Sequence, residues 1–197
     1  MREQRIPVVI LTGGGSRRFG SNKAFAPYGT KRIIDHIISS AKEVTDTIVI
    51  VTKSPEQYQF SGVRTIEDFS EVSTPIVGII TAMQEIESQE LIILSCDTLW
   101  YPDDLLQKLI AEPAEYGEAL LVSHDGAVHP FPGRYNRSCL SYFQNAMEKR
   151  QFRILRIIEQ MDYSSLSAEG WWMKNINNKE DLDEANHDRK NLLSKTI

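Results

Sequence analysis

Short runs of branched apolar residues alternate along this chain with segments whose apolar residues recur at helical spacing. The first run, Val8–Leu11, is apolar at every position, which is typical of a strand buried on both faces of a parallel sheet. In the next segment, the residues expected on one face of a helix are Ile33, Ile34, Ile37, Ile38 and Ala41. Such alternation predicts parallel strands joined by right-handed crossovers, in a three-layer α/β sandwich.

The same alternation continues over most of the sequence. Further strands are expected over residues 47–51, 63–66, 91–94, 119–122 and 171–176. Further helices are expected over residues 76–86, 102–111, 138–149, 152–160 and 179–193, the first of them opened by Pro75. The pattern loosens after Asp125, but no linker interrupts the chain. We therefore interpret residues 1–197 as one domain, with a cap-like subregion over about residues 125–177.

Composition limits the class of protein. Of the 197 residues, 41% are hydrophobic and 25% are charged, as in a globular domain with its own core. The formal net charge is −5 and no dense Lys/Arg stripe appears, which argues against binding nucleic acid by bulk charge. Cys96 and Cys139 form no CxxC pair, so neither a disulfide framework nor a structural zinc site is expected. With no signal peptide or membrane span recognisable in the sequence, we expect a cytoplasmic location without membrane contact.

Three predicted strands end in residues that suit a phosphorylated ligand. In open parallel sheets, ligands bind at the carboxyl ends of the strands. The first strand is followed by a glycine-rich segment, TGGGSRRFGSNK, whose backbone N–H groups can bind phosphate oxygens while Arg18 and Lys23 supply positive charge. Two other strands are followed by Asp68 and Asp97. A carboxylate at Asp97, across from a phosphate-binding loop, suits Mg²⁺.

The glycine-rich segment matches neither of two common nucleotide-binding patterns. It is not a P-loop, because the residue after Gly20 is Ser21 rather than lysine. It is not a dinucleotide-binding fingerprint, because Arg18 stands where a third glycine is required. Simpler interpretations stay open at this point: the segment as an ordinary surface turn, Asp97 as a helix N-cap or a solvated loop carboxylate, and Asp68 as a solvated loop carboxylate.

The residues around this segment resemble a known family. Residues 11–24, LTGGGSRRFGSNKA, are similar to the leucine-alanine-glycine-glycine loop, ending in lysine, of nucleotidyltransferases that make dinucleotide cofactors. In particular, the chain resembles the molybdenum cofactor guanylyltransferases, the MobA family. The resemblance continues in chain order at Asp68, at residues 75–79 and 96–98, at His129-Pro130 and at residues 175–182.

The resemblance implies a mostly parallel, Rossmann-like nucleotidyltransferase sheet and an enzyme that transfers GMP from GTP to molybdopterin, releasing pyrophosphate. It implies a Mg²⁺ cofactor bound by Asp97, with Lys23 and Arg18 acting on the phosphates as the other catalytic residues. Residues assigned to the nucleotide and the pterin are Leu11, Thr12, Gly13, Gly14, Lys23, Asp68, Asp97, Asn175 and Asn177. The implied partners are the substrates GTP and molybdopterin and the proteins that mature molybdoenzymes. The cap-like subregion would lie on the side of the acceptor, molybdopterin.

Several positions depart from the family pattern, which bears on the choice of base. Thr12 replaces alanine, Phe19 methionine, Asn22 aspartate, Thr74 glycine and Leu99 proline. Gly13 stands where related cytidylyltransferases carry alanine, and the absence of a Cβ there leaves room for guanine. The alternatives are cytidylyl or sugar-phosphate nucleotidyl transfer on the same fold, or a GTP-binding module without catalysis. Candidates for pterin contact are His129 and the pair Trp171 and Trp172, although tryptophans more often fill a core.

Overall fold

Eleven strands and six helices make up the part of the chain that this computed structural model describes, residues 6–12, 19, 22–68, 70, 72–101, 104–113, 117–168 and 172–194. The strands are β1 (Val8–Leu11), β2 (Pro27–Tyr28), β3 (Lys31–Arg32), β4 (Ile48–Thr52), β5 (Arg64–Glu67), β6 (Glu90–Ser95), β7 (Thr98–Tyr101), β8 (Ala119–His124), β9 (Ala127–Asn136), β10 (Tyr163–Ser167) and β11 (Trp172–Asn175). The helices are α1 (Ile33–Lys42), α2 (Pro75–Glu85), α3 (Leu105–Ala111), α4 (Leu140–Glu148), α5 (Ile154–Ile158) and α6 (Lys179–Ser194). Short 3₁₀ turns cover Lys23–Phe25, Pro55–Ser61 and Arg137–Cys139.

Seven of these strands form the main sheet, in the order β10-β8-β9-β6-β1-β4-β5. β9 is antiparallel to both of its neighbours, and the other pairs are parallel. Two small antiparallel sheets, β7 with β11 and β2 with β3, lie outside it. The chain moves from β1 outward to β5 and then returns to the other side of β1 as β6. The carboxyl ends of β1 and β6 therefore flank a topological switch point, where ligands bind in open α/β sheets.

Each face of the main sheet is covered by helices. Val8 and Ile10 of β1 belong to one core, which also holds apolar side chains of α1, α3 and α6. Val9 and Leu11 belong to a second core, with side chains of α2, α4 and α5. Alternate residues of one strand thus enter two cores, which is why the run is apolar throughout. The prediction of a mostly parallel, three-layer α/β fold is confirmed.

The later half of the chain differs from the sequence-based expectation in its details. Residues 125–177 do not lie wholly outside the sheet, because they supply β9 and β10 to it. The strand expected over 171–176 pairs with β7 instead of the main sheet. The helix expected over 152–160 is confined to α5, and the one over 138–149 opens as a 3₁₀ turn. A role of this region in binding the acceptor stays a prediction.

β9 and β10 lack the apolar pattern that predicts the other strands of the main sheet. β9 contains two prolines and a glycine, and its buried half includes Arg134. β10 is an edge strand with mostly exposed side chains, so serine suffices at three of its five positions. Among the described helices, none is long and apolar enough to cross a membrane.

Candidate active site

Lys23 ends the glycine-rich segment and is the first residue of the 3₁₀ turn Lys23–Phe25. Hydrogen bonds hold both this turn and the ammonium group of Lys23 in place. Asn22 caps the turn, because its Oδ1 accepts a hydrogen bond from Ala24 N at 3.1 Å. Lys23 Nζ donates to the carbonyl oxygen of Ile176 at 2.7 Å. Burial lowers the pKa of Lys23, and the negative charge of Asp97 partly opposes this shift. The ammonium group is therefore positioned and only partly hydrated, which suits it to bind phosphate.

Asp97 lies in the turn between β6 and β7, beside the switch point. Its backbone carbonyl accepts a hydrogen bond from Ile176 N at 2.7 Å. The Thr98 hydroxyl lies 3.3 Å from Asp97 Oδ1 and 3.0 Å from Asn175 Oδ1. The interpretation of Asp97 as a helix N-cap is wrong, because a strand follows it. Its partly exposed carboxylate faces the same region as Lys23, whose charge it influences.

The segment around Asn175 and Asn177 lies against Asp97, through the hydrogen bond from Ile176 N to the Asp97 carbonyl. Asn175 pairs with Thr98 in the β11–β7 register. Beyond it, Asn177 N donates to Asp181 Oδ2 at 2.7 Å, which fixes the segment to the first turn of α6. Both asparagine side chains are exposed. The structure therefore brings Lys23, Asp97 and these amides to one edge of the sheet, with the amides available to a ligand.

The other predicted residues of the first loop are only partly described. The side chain of Leu11 is 4% exposed and packs against Gly78 of α2, so it supports the site from within the core. Thr12 donates both its N–H and its hydroxyl to the carbonyl oxygen of Val51, at 3.1 and 3.3 Å. Gly13, Gly14 and Arg18, three residues predicted to bind the nucleotide and its phosphates, lie outside the described residues.

Asp68 lies at the end of β5 and is set apart from Asp97. It is 8% exposed, its N–H donates to Thr52 O at 2.8 Å, and its Oδ1 accepts from Ser70 N at 3.1 Å. β5 stands three strands from β6, which separates the two strand ends by about 14 Å at the usual strand spacing. Their strand ends are therefore too far apart for Asp68 and Asp97 to bind the same metal ion. Within the described residues, no cluster of three or more His, Cys, Asp or Glu side chains is arranged to hold a metal.

The candidate pterin contacts have structural partners of their own. Trp172 packs against one core, and its ring N–H donates to Asp188 Oδ2 at 3.0 Å, as expected of a core-filling tryptophan. Trp171 lies outside the described residues. The rings of His129 and His124 are 6.1 Å apart in the β8–β9 hairpin. Burial lowers the pKa of His129, with a smaller contribution of the same sign from His124, so the neutral imidazole is favoured there.

Two participants in the site were not anticipated from the sequence. The carbonyl oxygen of Ile176 accepts the hydrogen bond from Lys23. Because Ile176 lies 153 residues further along the chain, the sequence around Lys23 does not indicate this contact. Tyr58, in the turn Pro55–Ser61, is fully buried, and its hydroxyl accepts a hydrogen bond from Asn22 Nδ2 at 3.1 Å.

Next to Asp97, Cys96 is an unreactive thiol, because burial raises its pKa to about 12.

Relatives of this chain share both its sequence pattern and its fold. A probable molybdenum cofactor guanylyltransferase of Flavobacterium johnsoniae is 28% identical over 186 residues, covering 93% of this chain and 97% of the relative. A molybdenum cofactor guanylyltransferase of Desulfosudis oleivorans is 25% identical over 188 residues, covering 90% and 92%. The crystal structure of molybdopterin-guanine dinucleotide biosynthesis protein A from Archaeoglobus fulgidus matches with a TM-score of 0.74 at 20% identity, covering 94% of this chain and 100% of that one. Residues 8–164 match the family described as the MobA-like NTP transferase domain, so this chain belongs to that family and is a nucleotidyltransferase.

Proposed function

We propose that this protein transfers GMP from GTP to molybdopterin, forming the guanine dinucleotide cofactor and releasing pyrophosphate. The observation that carries the proposal is the convergence of Lys23, Asp97 and the Asn175 segment at the switch point of the sheet. The names of the relatives supply the acceptor, since they are guanylyltransferases of the molybdenum cofactor.

The donor nucleotide occupies the β1 side of this site in our proposal. Lys23, with Arg18 and the glycine-rich segment, holds the β- and γ-phosphates, which carry the charge that leaves as pyrophosphate. Gly13 and Gly14, with the main chain of Leu11 and Thr12, border the guanine. The buried Asp68 contacts the nucleotide rather than the metal, because about 14 Å separates its strand end from that of Asp97.

The acceptor occupies the side formed by β7, β11 and the first turn of α6. The exposed amides of Asn175 and Asn177 can each donate and accept hydrogen bonds, as the polar edge of a pterin requires. Because the same segment contacts Lys23 and Asp97 through Ile176, an acceptor bound there lies next to the donor phosphates. Such proximity is the main contribution that an enzyme can make to a phosphoryl-group transfer.

The donor set around Asp97 fits Mg²⁺. This ion is usually held by one or two carboxylates together with substrate phosphates and water, rather than by an all-protein cluster. Asp97 supplies such a carboxylate, and the Thr98 hydroxyl beside its Oδ1 helps to fix its orientation. When bound, Mg²⁺ supplies positive charge that neutralises the phosphates of the donor.

The proposed reaction needs no general base from this chain. The nucleophile is the terminal phosphate of the acceptor, which is ionised near neutral pH because its second pKa is about 6. His129 and the other three histidines therefore need not take up a proton in the reaction. What the chain must do is align the acceptor phosphate with the α-phosphorus of GTP and hold the departing charge at Lys23.

The experiment that tests this function is release of pyrophosphate by the purified protein with Mg²⁺. We expect release only when GTP and molybdopterin are both present, in step with formation of the dinucleotide. A GTP-binding module without catalysis would bind GTP but release no pyrophosphate with either addition. Release with a sugar phosphate or another acceptor in place of molybdopterin would assign the chain to a different branch of nucleotidyltransferases.

A further inference from the structure

Tyr58 is a buried residue beside the site that the proposed reaction does not use. Its side chain is fully buried, in the turn Pro55–Ser61 that joins β4 to β5. Its hydroxyl accepts a hydrogen bond from Asn22 Nδ2 at 3.1 Å, and the side chains of Thr12 and Thr52 lie beside it. The hydroxyl group therefore contacts the residue that immediately precedes Lys23.

Asn22 is the residue that this hydroxyl contacts most closely. The Tyr58 hydroxyl donates to Asn22 Oδ1 at 3.5 Å, and the Thr12 hydroxyl donates to Val51 O at 3.3 Å. Asn22 donates to the tyrosine through Nδ2, whereas its Oδ1 accepts from Ala24 N. Alanine in place of Thr12 would supply no hydroxyl, and aspartate in place of Asn22 would supply no donor. Two departures of this chain from the family loop pattern thus meet at one tyrosine.

The tyrosine also supports the turn that carries Lys23. Asn22 caps this turn, so a hydrogen bond that fixes the Asn22 side chain fixes the turn as well. In addition, the ring of Tyr58 packs against Phe25, in the same turn, with 5.1 Å between ring centroids. Tyr58 is thereby coupled to Lys23 through two independent contacts.

We propose that Tyr58 is a positioning residue for the donor nucleotide, whose hydroxyl holds the Asn22 side chain and so preorganises the turn that carries Lys23 to bind a triphosphate. Being fully buried, the side chain reaches no substrate and acts through its contacts with Asn22 and Phe25. Preorganisation of this kind strengthens binding because the lysine does not have to be positioned when the ligand arrives. The inference rests on the proposed function only in that Lys23 binds nucleotide phosphates.

A matched pair of tyrosine variants tests the inference. Tyr58→Phe keeps the ring and removes the hydroxyl. The control is Tyr135→Phe, since Tyr135 is equally buried in the other core and its hydroxyl donates to Pro130 O at 2.6 Å. Both variants lose a buried hydroxyl group with its hydrogen bonds, so both are expected to lose thermal stability. Only Tyr58→Phe should weaken GTP binding, by about tenfold, with GMP binding changed by less than about twofold.

A double-mutant cycle with Asn22→Ala identifies the route of the effect. If Tyr58 acts through Asn22, the loss of GTP affinity caused by Tyr58→Phe should shrink to less than about threefold in the Asn22→Ala background. Unchanged GTP affinity in Tyr58→Phe would overturn the inference, as would equal losses for GTP and GMP or equal losses in the two tyrosine variants. A parent chain that binds GTP but forms no dinucleotide would contradict the proposed function alone, because these measurements use binding only. A parent chain that does not bind GTP would overturn both.

Discussion

At the scale of single residues, Lys23 is the group on which the donor side depends most. Its ammonium is anchored by a backbone carbonyl and lies near Asp97, so it is presented to a ligand in one place. A phosphate arriving there meets a cation that has already lost part of its water. Two substitutions and a pH titration of GTP binding distinguish a role in binding phosphate from a merely structural role.

Lys23→Ala should weaken GTP binding and slow turnover together, because the ammonium contacts the phosphates before and during transfer. We expect a loss of at least about tenfold in GTP affinity and little change for GMP, which lacks the β- and γ-phosphates. Binding titrations with both nucleotides measure this, with the exposed Lys31→Ala as the control. Equal losses for GTP and GMP would show that Lys23 does not bind the terminal phosphates.

Asp97→Asn should abolish transfer and leave the fold intact, because the amide keeps the shape of the carboxylate without its charge. We expect the rate to fall by about 10²-fold or more, as is typical when one charge-stabilising group is removed. Turnover at low millimolar Mg²⁺ and a thermal melt measure the two effects, with Asp104→Asn as an exposed control. A variant with near-normal turnover would leave Asp97 as a structural turn residue.

The pH dependence of GTP binding follows from the environment of Lys23. Burial lowers the pKa of this lysine from its ordinary value of 10.5, so its charge and the GTP affinity should be lost at a lower pH than for a solvated lysine. Asp97→Asn removes the charge that opposes the shift, so the decline should move to still lower pH. Affinities measured without a divalent metal isolate this effect. A decline that moves upward in pH, or does not move, would contradict it.

At the scale of elements, the strands that can be predicted are those with runs of apolar residues, which indicate burial on both faces of the sheet. β1 is apolar throughout, and β4 is apolar up to Thr52, because alternate side chains enter one or the other of two cores. β9 gives no such signal, since Pro130, Pro132 and Gly133 are typical of a loop and Arg134 is charged. The buried Arg134 is hydrogen-bonded by Glu90 and by the end of α3. The sequence around Arg134 indicates neither contact.

Arg134→Met tests how far β9 is held by that one side chain. The guanidinium is 6% exposed, pairs with Glu90 at 2.8 Å and lies within hydrogen-bond distance of three carbonyl oxygens at the end of α3. Removing it should lower the free energy of unfolding by about 3 kcal/mol, the scale for breaking a buried ion pair. Arg156→Met, in an exposed pair with Glu159, should cost less than about 0.5 kcal/mol.

Denaturant unfolding of the two arginine variants measures this difference. Turnover per folded molecule should be unchanged in both, since neither arginine contacts the site. Equal stabilities of the two variants would mean that β9 is held by its strand pairing alone.

The candidate site was predictable where it follows strands and unpredictable where it depends on distant contacts. Lys23 and Asp97 were identified because glycine-rich and acidic residues after buried strands point to the ligand edge of a sheet. Asn175 was implied only by resemblance, since its contact with Thr98 joins residues 77 positions apart. Tyr58 was missed because its partner Asn22 lies 36 positions away and the local sequence gives no sign of it.

At the scale of the whole molecule, an early and a late segment of the chain meet at the site. The early segment supplies Lys23, and the late segment supplies Ile176 and α6, whose Asp181 binds the backbone of Asn177. Farther along α6, Asn186 Oδ1 accepts from Gly29 N at 2.7 Å, in the turn between β2 and β3. α6 therefore links the segment around Asn177 to the β2–β3 turn, and it does so through contacts outside the main sheet.

If guanylyl transfer takes place at this junction, GTP must be the preferred donor, and a competition among nucleoside triphosphates measures that preference. The purified protein is given Mg²⁺ and molybdopterin with equal GTP, CTP and ATP, and the dinucleotide products are identified and compared with the pyrophosphate released. A site whose polar groups match the edge of one base leaves those groups unpaired when a different base binds. We therefore expect the amount of guanine dinucleotide to exceed that of the other products by roughly 10²-fold. Equal use of GTP and CTP, or a preference for CTP, would contradict the guanylyl assignment.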